Sequence, residues 1–210
     1  MKSRKRNIPI LLGLLMIAAA LLLTLYNIWD GARAEKSVRQ TAGRLEALIP
    51  APPEPQPEGT PPEEIMYPDY VLNPKMDMPE EEVDGVAYIG SLEIPALELE
   101  LPVISRWSYP NLKLAPCRYE GSAYLDDLVI AAHNYESHFG RLKELSPGDE
   151  VTFTDMTGNV FRYEVAELET LAPTAIQEMT GSGYDLTLFT CTIGGKSRVT
   201  VRCDRMEDTP

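Results

Sequence analysis

Residues 185–202, DLTLFTCTIGGKSRVTVR, decide the fold of the C-terminal half of the chain. Two runs that are rich in Leu, Val, Thr and Phe, as β-strands are, flank a six-residue connection with two glycines. Pairing of the two strands as a hairpin brings the end of the first beside the start of the second, so we expect Cys191 to lie beside Arg198. Alternation of side chains along the first strand places Phe189 on the same face as Cys191.

Similar short runs fill the chain upstream of this hairpin. They are VAYIGSLEI, LELPVIS, DLVIAA, DEVTFTD and VFRYEVAEL, between Val86 and Leu168. The sequence DMTGN at 155–159 predicts the turn of a second hairpin, and one helix is predicted over His138–Leu145. Roughly eight strands within ~120 residues and little helix indicate a mostly β fold, an eight-stranded β-barrel with short helices.

The chain has two histidines, His133 and His138, and the first of them ends a predicted strand in AAHNY. A thiol, an imidazole and a guanidinium at one barrel rim would suit nucleophilic acyl transfer. Cysteine would supply the thiolate, histidine would move protons, and arginine would stabilise an oxyanion. The residues alone also allow Cys191 to be a small buried hydrophobe and His133 to be a structural residue.

The N-terminal sequence is typical of a membrane anchor. Four basic residues precede the run Ile8–Ile28, whose twenty-one residues include no charged side chain. As a helix this run would span about 30 Å, the thickness of the hydrocarbon core of a bilayer. The basic cluster predicts a cytoplasmic N-terminus and an extracellular C-terminal domain in a single-pass protein of the cell membrane. A cleaved signal peptide ending near Ala32-Arg33-Ala34 is the alternative, and it also places the rest of the chain outside the cytoplasm.

Charge and proline content divide the chain into four predicted segments. Residues 1–29 form a cytoplasmic basic tip and a transmembrane helix, 30–49 a helical juxtamembrane segment, 50–85 a Pro/Glu-rich stalk, and 86–210 the globular domain. The stalk holds ten of the eighteen prolines, and proline favours an extended, semi-rigid spacer because it lacks a backbone donor. A lid that covers a groove, with Pro68-Asp69-Tyr70 at its tip, is the alternative.

The composition of the 210 residues excludes some classes of protein. A formal net charge of −13 argues against a nucleic-acid binder, which needs a basic surface. Three cysteines are too few for a disulfide-built scaffold. Cys203 shares a strand face with Val199 and Val201 and is expected in the core, whereas the environment of Cys117 stays open. An extracellular setting allows a disulfide between these two cysteines, but nothing in the sequence fixes their distance.

Three stretches in order resemble the sortase family of bacterial surface transpeptidases: AAHNY followed by FGRLKELSPGDEV, then LTLFTCT, then RVTVR. The resemblance covers residues 86–205 and implies a sortase-type barrel. By position it implies that Cys191 is the nucleophile, His133 the general acid and base, and Arg198 the clamp for the oxyanion and the substrate. Arg202 is on the same strand, but it lies four residues, about 13 Å, further along and is less suited to this role.

Two neighbours of these residues, Asn134 and Thr190, are expected to contact the substrate, although Thr190 is equally well explained as an ordinary strand threonine. His138 lies within the predicted helix and is interpreted as structural or at the surface. We predict no metal site and no cofactor.

The resemblance also implies a reaction. A sortase cleaves a C-terminal sorting motif of secreted surface proteins through a thioacyl-enzyme and joins it to an amine of a peptidoglycan precursor or a pilin. The alternatives are a non-enzymatic extracellular assembly or binding module with the same barrel, and a cysteine peptidase that releases its product to water. The opening of the core, VDGVAYIGSLEIP, is class B-like, and we find no Asp-Pro-aromatic lid motif of class C. The subclass, the sorting motif and the acceptor stay open.

Overall fold

The computed structural model describes residues 8–50 and 67–206. Within them, nine strands form one sheet: β1 (Glu81–Val83), β2 (Val86–Ile94), β3 (Leu99–Ile104), β4 (Cys117–Glu120), β5 (Leu128–Ala132), β6 (Glu150–Asp155), β7 (Val160–Leu171), β8 (Leu186–Cys191) and β9 (Arg198–Arg205). Their order is β1-β2-β3-β4-β5-β8-β9-β7-β6, and β2 pairs with β6 as well as with β3. Strands β2 to β9 therefore close into a barrel, and the predicted eight-stranded, mostly β fold is confirmed.

The helices are α1 (Ile8–Glu46), α2 (Asp69–Leu72), α3 (Tyr109–Leu112) and α4 (Ile176–Thr180), with 3₁₀ turns at Pro95–Leu97 and Leu142–Glu144. Helix α1 has 39 residues and is, within the described part of the chain, the one helix that is long and apolar enough to cross a membrane. Its first 22 residues, 8–29, are exposed, whereas Ala34, Val38 and Leu45 in its second half are buried against the barrel.

The strand pattern of the sequence is found in the structure. All seven runs quoted above form strands, and β2 has the predicted bounds. The DMTGN turn joins β6 to β7, and the carboxylate of Asp155 accepts hydrogen bonds from the backbone N–H groups of Thr157 (2.8 Å) and Asn159 (3.0 Å). Strand β4 was not predicted, because CRYE is short and polar.

The predicted helix over His138–Leu145 is wrong. The segment consists of turns and the 3₁₀ turn Leu142–Glu144. The backbone N–H of Phe139 bonds back to the carbonyl of His133, so the chain closes a tight loop and buries the Phe139 ring. The carbonyls of Asn134 and Tyr135 would lie 2.7 Å from a Cβ at Gly140, so only glycine fits there.

The core lies inside the barrel. Large side chains that are fully buried include Ile89, Phe153 and Phe161. Cys203 is buried among them, as predicted, and Cys117 is buried as well. All three cysteines are free thiols.

The second part of the predicted stalk packs on the barrel. Residues 51–66 lie outside the described residues, but residues 67–85 contribute α2, β1 and the buried side chain of Met78. The Tyr70 ring stacks on Tyr124 with ring centroids 4.7 Å apart, because burial of aromatic surface outweighs the preference of a proline-rich segment for an extended, solvated chain. Residues 67–85 are therefore part of the globular unit, which the stalk boundary at 85 did not anticipate.

The barrel has two unlike ends. The groove end is where β5 and β8 finish, at Ala132 and Cys191. The hairpin end is where the Asp155–Asn159 turn contacts Tyr124, a residue just before the start of β5. The Tyr124 hydroxyl donates a hydrogen bond to the Asp155 carboxylate at 2.7 Å. Tyr70 lies at the hairpin end, so the tip of the lid that was the alternative to a stalk does not cover the groove end.

Candidate active site

Two neighbouring strands bring His133 and Cys191 to the same end of the barrel. Strands β5 and β8 run parallel, and Ala132 is paired with Thr190. The Thr190 hydroxyl donates to the Ala132 carbonyl at 2.8 Å and joins the two strand ends. Cys191 is the next residue after Thr190, and His133 is the next residue after Ala132, so the imidazole and the thiol leave adjacent strands at the same level.

The β8–β9 hairpin sets Arg198 beside Cys191, as its sequence predicts, because the two residues are directly paired across the strands. The Thr192 N–H donates to the Ser197 carbonyl at 3.0 Å and closes the connecting loop. Gly194 and Gly195 have φ of 82° and 70°, a left-handed conformation that favours glycine. The short glycine turn therefore fixes the spacing of the thiol and the guanidinium.

Cys191 and Arg198 line one groove, whose volume is about 230 Å³. The other lining residues are mostly aromatic or aliphatic: Trp107, Tyr109, Leu112, Tyr119, Ala131, Ala132, Ala172, Pro173, Ala175, Ile176, Met179 and Phe189. Phe189 and Cys191 share this face, as strand alternation predicted. An apolar groove with a few convergent polar groups is the usual form of a binding site for a ligand.

His133 is half-buried next to this groove but does not line it. Its ring lies 4.9 Å from the Tyr135 ring, between centroids. Burial lowers the pKa of His133, although the nearby Asp30 carboxylate acts in the opposite direction. The imidazole is therefore neutral at pH 7 and can accept a proton.

The guanidinium of Arg198 is able to bind a ligand in the groove. Its Nη1 donates to the carbonyls of Gly195 (3.3 Å) and Ser197 (3.2 Å) in the adjoining loop. Among the described residues, no carboxylate forms an ion pair with it. Its remaining N–H groups can therefore bind an anionic or carbonyl oxygen in the groove.

A family model described as Sortase domain matches residues 92–206, more than half of the chain. The chain belongs to the sortase family. Similar solved structures are a sortase C1 of GBS pilus island 1 (23% identity, TM-score 0.51, 58% of this chain and 66% of that one), the sortaseC1 from Streptococcus suis (28%, 0.50, 58% and 74%) and the sortase C-1 from Streptococcus pneumoniae (25%, 0.50, 58% and 68%). This chain thus spans just under two thirds of the first structure. The comparison with curated proteins gave no match.

These neighbours bear the names of sortases C, whereas the opening of the core suggested class B. The family is established, and the subclass of this sortase stays a prediction.

Arg202 is used elsewhere in this sortase. It is 1% exposed, and its guanidinium donates to Glu169 (2.7 Å), to the Thr187 and Ser182 hydroxyls (2.9 and 3.0 Å) and to backbone carbonyls of α4. A guanidinium with its donors occupied in this way ties α4 to the barrel. The geometry favours Arg198 over Arg202 as the groove arginine.

The two expected substrate contacts are not in the groove. Thr190 is buried and its hydroxyl is bonded to the Ala132 carbonyl, so it is a strand threonine rather than a groove residue. Asn134 is exposed and does not line the groove. Sequence reasoning missed the aromatic wall formed by Trp107 and Tyr109. The signal for it was the pair of large aromatics in a polar loop, RWSYPN, directly after a strand.

The other two cysteines and the second histidine are fully buried. Burial raises the pKa of both Cys117 and Cys203 to about 12, so these thiols stay protonated and unreactive. His138 is fully buried, which corrects any placement at the surface, and burial lowers its pKa to about 4. Cys191 is the partly exposed thiol of the three.

Proposed function

We propose that this sortase is a membrane-anchored cysteine transpeptidase with Cys191 as its nucleophile. The observation that carries the proposal is the pairing of Cys191 with Arg198 across β8 and β9 at one apolar groove, with His133 at the end of the adjacent strand β5. The family supports acyl transfer in general, and these positions match the nucleophile, the acid-base group and the oxyanion clamp.

The first half of the reaction would form a thioacyl-enzyme. His133, neutral because of its burial, accepts the proton of the Cys191 thiol as the sulfur attacks the carbonyl carbon of a threonine in the sorting motif. The N–H groups of Arg198 stabilise the negative charge on the carbonyl oxygen. The C–N bond then breaks, and the imidazolium of His133 gives its proton to the departing amine.

The second half would reverse these steps with a new amine. An amine of a peptidoglycan precursor or a pilin attacks the thioester, His133 removes a proton from it, and the Cys191 sulfur leaves. One amide replaces another, so the exchange needs no cofactor and little net free energy.

The groove suits an extended peptide with apolar side chains. Trp107, Tyr119 and Phe189 offer aromatic surface next to the thiol, and the rings of Tyr119 and Phe189 meet edge to face at 5.3 Å. Rigid aromatic walls of this kind can bind aliphatic side chains and hold the scissile carbonyl in place.

We also propose that α1 anchors the enzyme. Its exposed residues from Ile8 to Ile28 would cross the bilayer, with the N-terminus in the cytoplasm and the barrel outside. Sorting-signal peptides and amine acceptors at the outer surface of the cell would then be its partners.

A peptide-library assay tests the proposal. The full chain in detergent is incubated with threonine-containing peptides and an amine acceptor, and mass spectrometry separates amine-linked from hydrolysed products. Amine-linked product is expected from the wild-type chain and from Cys117→Ala, and none from Cys191→Ala. Full turnover by Cys191→Ala would refute the mechanism. Product released only to water would indicate a peptidase, and a folded chain without any product would favour a binding module.

A further inference from the structure

The start of the barrel-bound part of α1 is tied to the groove end. The Tyr135 hydroxyl donates a hydrogen bond to the Asp30 carboxylate, and Arg33 pairs with the same carboxylate at 3.0 Å. Tyr135 lies two residues after His133. The apolar run of α1 ends at Ile28, two residues or about 3 Å along the helix before Asp30. The last residues of the proposed membrane span are therefore level with the His133 loop.

The end of α1 lies near the hairpin end. Arg44 forms an ion pair with Asp84. The carbonyl of Pro50, just beyond the helix, would lie only 2.7 Å from a Cβ at Gly158, in the Asp155–Asn159 turn. Helix α1 thus runs along the barrel from the groove end to the hairpin end, and its apolar half projects beyond the groove end.

Two loops at the groove end carry a charge opposite to that of the domain. Residues 105–116 and 192–198 hold four basic residues and no acidic one, whereas residues 86–210 as a whole have a net charge of −9. The four basic residues are Arg106, Lys113, Lys196 and Arg198.

The same loops expose apolar side chains that a soluble surface rarely presents together. Ile193 is 94% exposed at the tip of the β8–β9 loop, and Tyr109 is 72% exposed at the start of α3. Trp107 lines the groove together with Tyr109, and the centroids of their rings are 5.2 Å apart. Aromatic and basic side chains around an exposed aliphatic tip are typical of surfaces that rest in the headgroup region of a membrane.

We propose that the groove end of the barrel docks on the outer leaflet of the bilayer that holds α1, with its loops bound to anionic lipid headgroups. This inference rests on the proposed membrane anchoring. Ile193, Tyr109 and Trp107 enter the interface. The three basic residues of these loops other than Arg198, which lines the groove, pair with lipid phosphates. The groove then opens at the membrane surface, where secreted chains and lipid-linked acceptors are both held.

Tryptophan quenching tests this orientation. The chain has two tryptophans, Trp29 and Trp107, so Trp29→Phe leaves one reporter at the groove end. The full-length variant is placed in nanodiscs of phosphatidylcholine and phosphatidylglycerol in equal parts, with and without bromine on the upper acyl chain. We expect brominated lipid to reduce Trp107 fluorescence at least twofold and aqueous iodide to have little effect.

A matched reporter at the hairpin end provides the control. Leu125 is 48% exposed in the β4–β5 loop, and Trp29→Phe/Trp107→Phe/Leu125→Trp moves the only indole there. Its fluorescence should respond to iodide and not to brominated lipid. Equal behaviour of the two reporters would overturn the proposed docking.

A charge variant tests the role of the basic loops, and co-elution with nanodiscs distinguishes a failure of the anchoring from a failure of the docking. Lys113→Glu/Lys196→Glu should reduce the quenching of Trp107 in these discs; unchanged quenching would contradict the role of the basic loops. If the chain does not co-elute with nanodiscs, the anchoring and the docking both fail. If it co-elutes but Trp107 is not quenched, only the docking fails, and neither result depends on transpeptidase activity.

Discussion

The two ends of the barrel differ in whether their polar groups find partners within the protein. At the hairpin end, Asp155 is fully buried and accepts hydrogen bonds from Thr157, Asn159 and Tyr124, so its polar atoms are satisfied within the protein. At the groove end, a partly exposed thiol lies beside a guanidinium that pairs with no carboxylate of residues 8–50 and 67–206. The hairpin end therefore stabilises the fold. At the groove end, reactive groups stay free to bind a ligand, at a cost in stability.

Arg198 and Arg202, both on β9, should show the largest contrast. Arg202→Gln removes a buried partner of Glu169 and leaves carbonyls of α4 unpaired, so we expect a loss of about 4 kcal/mol in unfolding free energy. Arg198→Gln should change stability by less than about 0.5 kcal/mol and reduce kcat/KM by about 100-fold. Urea denaturation and the transpeptidation assay measure both. A large loss of stability in Arg198→Gln would contradict the comparison.

The buried His138 should make the fold sensitive to acid. Burial, assisted by the charge on His133, lowers its pKa to about 4, whereas an unfolded histidine titrates near 6.5. The unfolded state binds more protons between these values, so stability falls as pH decreases from 6.5 to 4, by about 3 kcal/mol. Unfolding curves across this range should show a shallower pH dependence for His138→Leu. The same slope in both proteins would mean that His138 is not the group responsible.

At the hairpin end, Tyr124→Phe should have a smaller effect. It removes one hydrogen bond to the buried Asp155 carboxylate, which is worth about 2 kcal/mol. Transpeptidation per folded molecule should be unchanged, because Tyr124 lies at the end opposite to Cys191. Reduced kcat in a fully folded sample would show that the two ends are coupled.

A smaller loss of stability than that of Tyr124→Phe is expected at the joint between α1 and the groove end. Tyr135→Phe removes the bond to Asp30 and should cost about 1 kcal/mol in stability. The Asp30 carboxylate raises the pKa of His133. In Tyr135→Phe this carboxylate loses its hydrogen bond, so the pKa of His133, and with it the acidic limb of the pH profile of kcat/KM, should shift. Asp30→Asn serves as the matched variant and should lower that pKa. Identical profiles in all three proteins would exclude any influence of α1 on His133.

Local sequence patterns predicted the parts of this fold that depend on short-range periodicity. The bounds of β2, the DMTGN turn and the neighbouring positions of Cys191 and Arg198 follow from strand alternation and turn chemistry. The expected helix over His138–Leu145 does not form, because the loop closes onto His133 and buries Phe139. This tertiary contact outweighs the helical preference of the local sequence.

Contacts between distant residues could not be predicted. Tyr135 and Asp30 are 105 positions apart, and the groove is lined by residues that are far apart in the sequence, such as Trp107 and Phe189. The buried hydroxyl of Thr190 shows the same limit, since its partner lies on a strand 58 residues earlier. The residue types indicated which groups could react, but only the pairing of the strands in the barrel shows which of these groups lie side by side.

The mass of the trapped enzyme tests most directly whether Cys191 is the nucleophile. The full chain is mixed with a threonine-containing peptide that yields product in the library assay, without an amine acceptor, and quenched in acid for intact-mass and peptide analysis. We expect one thioacyl adduct on Cys191, none on Cys117 or Cys203, and a markedly lower yield with His133→Ala. An adduct on another residue, or product formation without any adduct, would contradict this expectation.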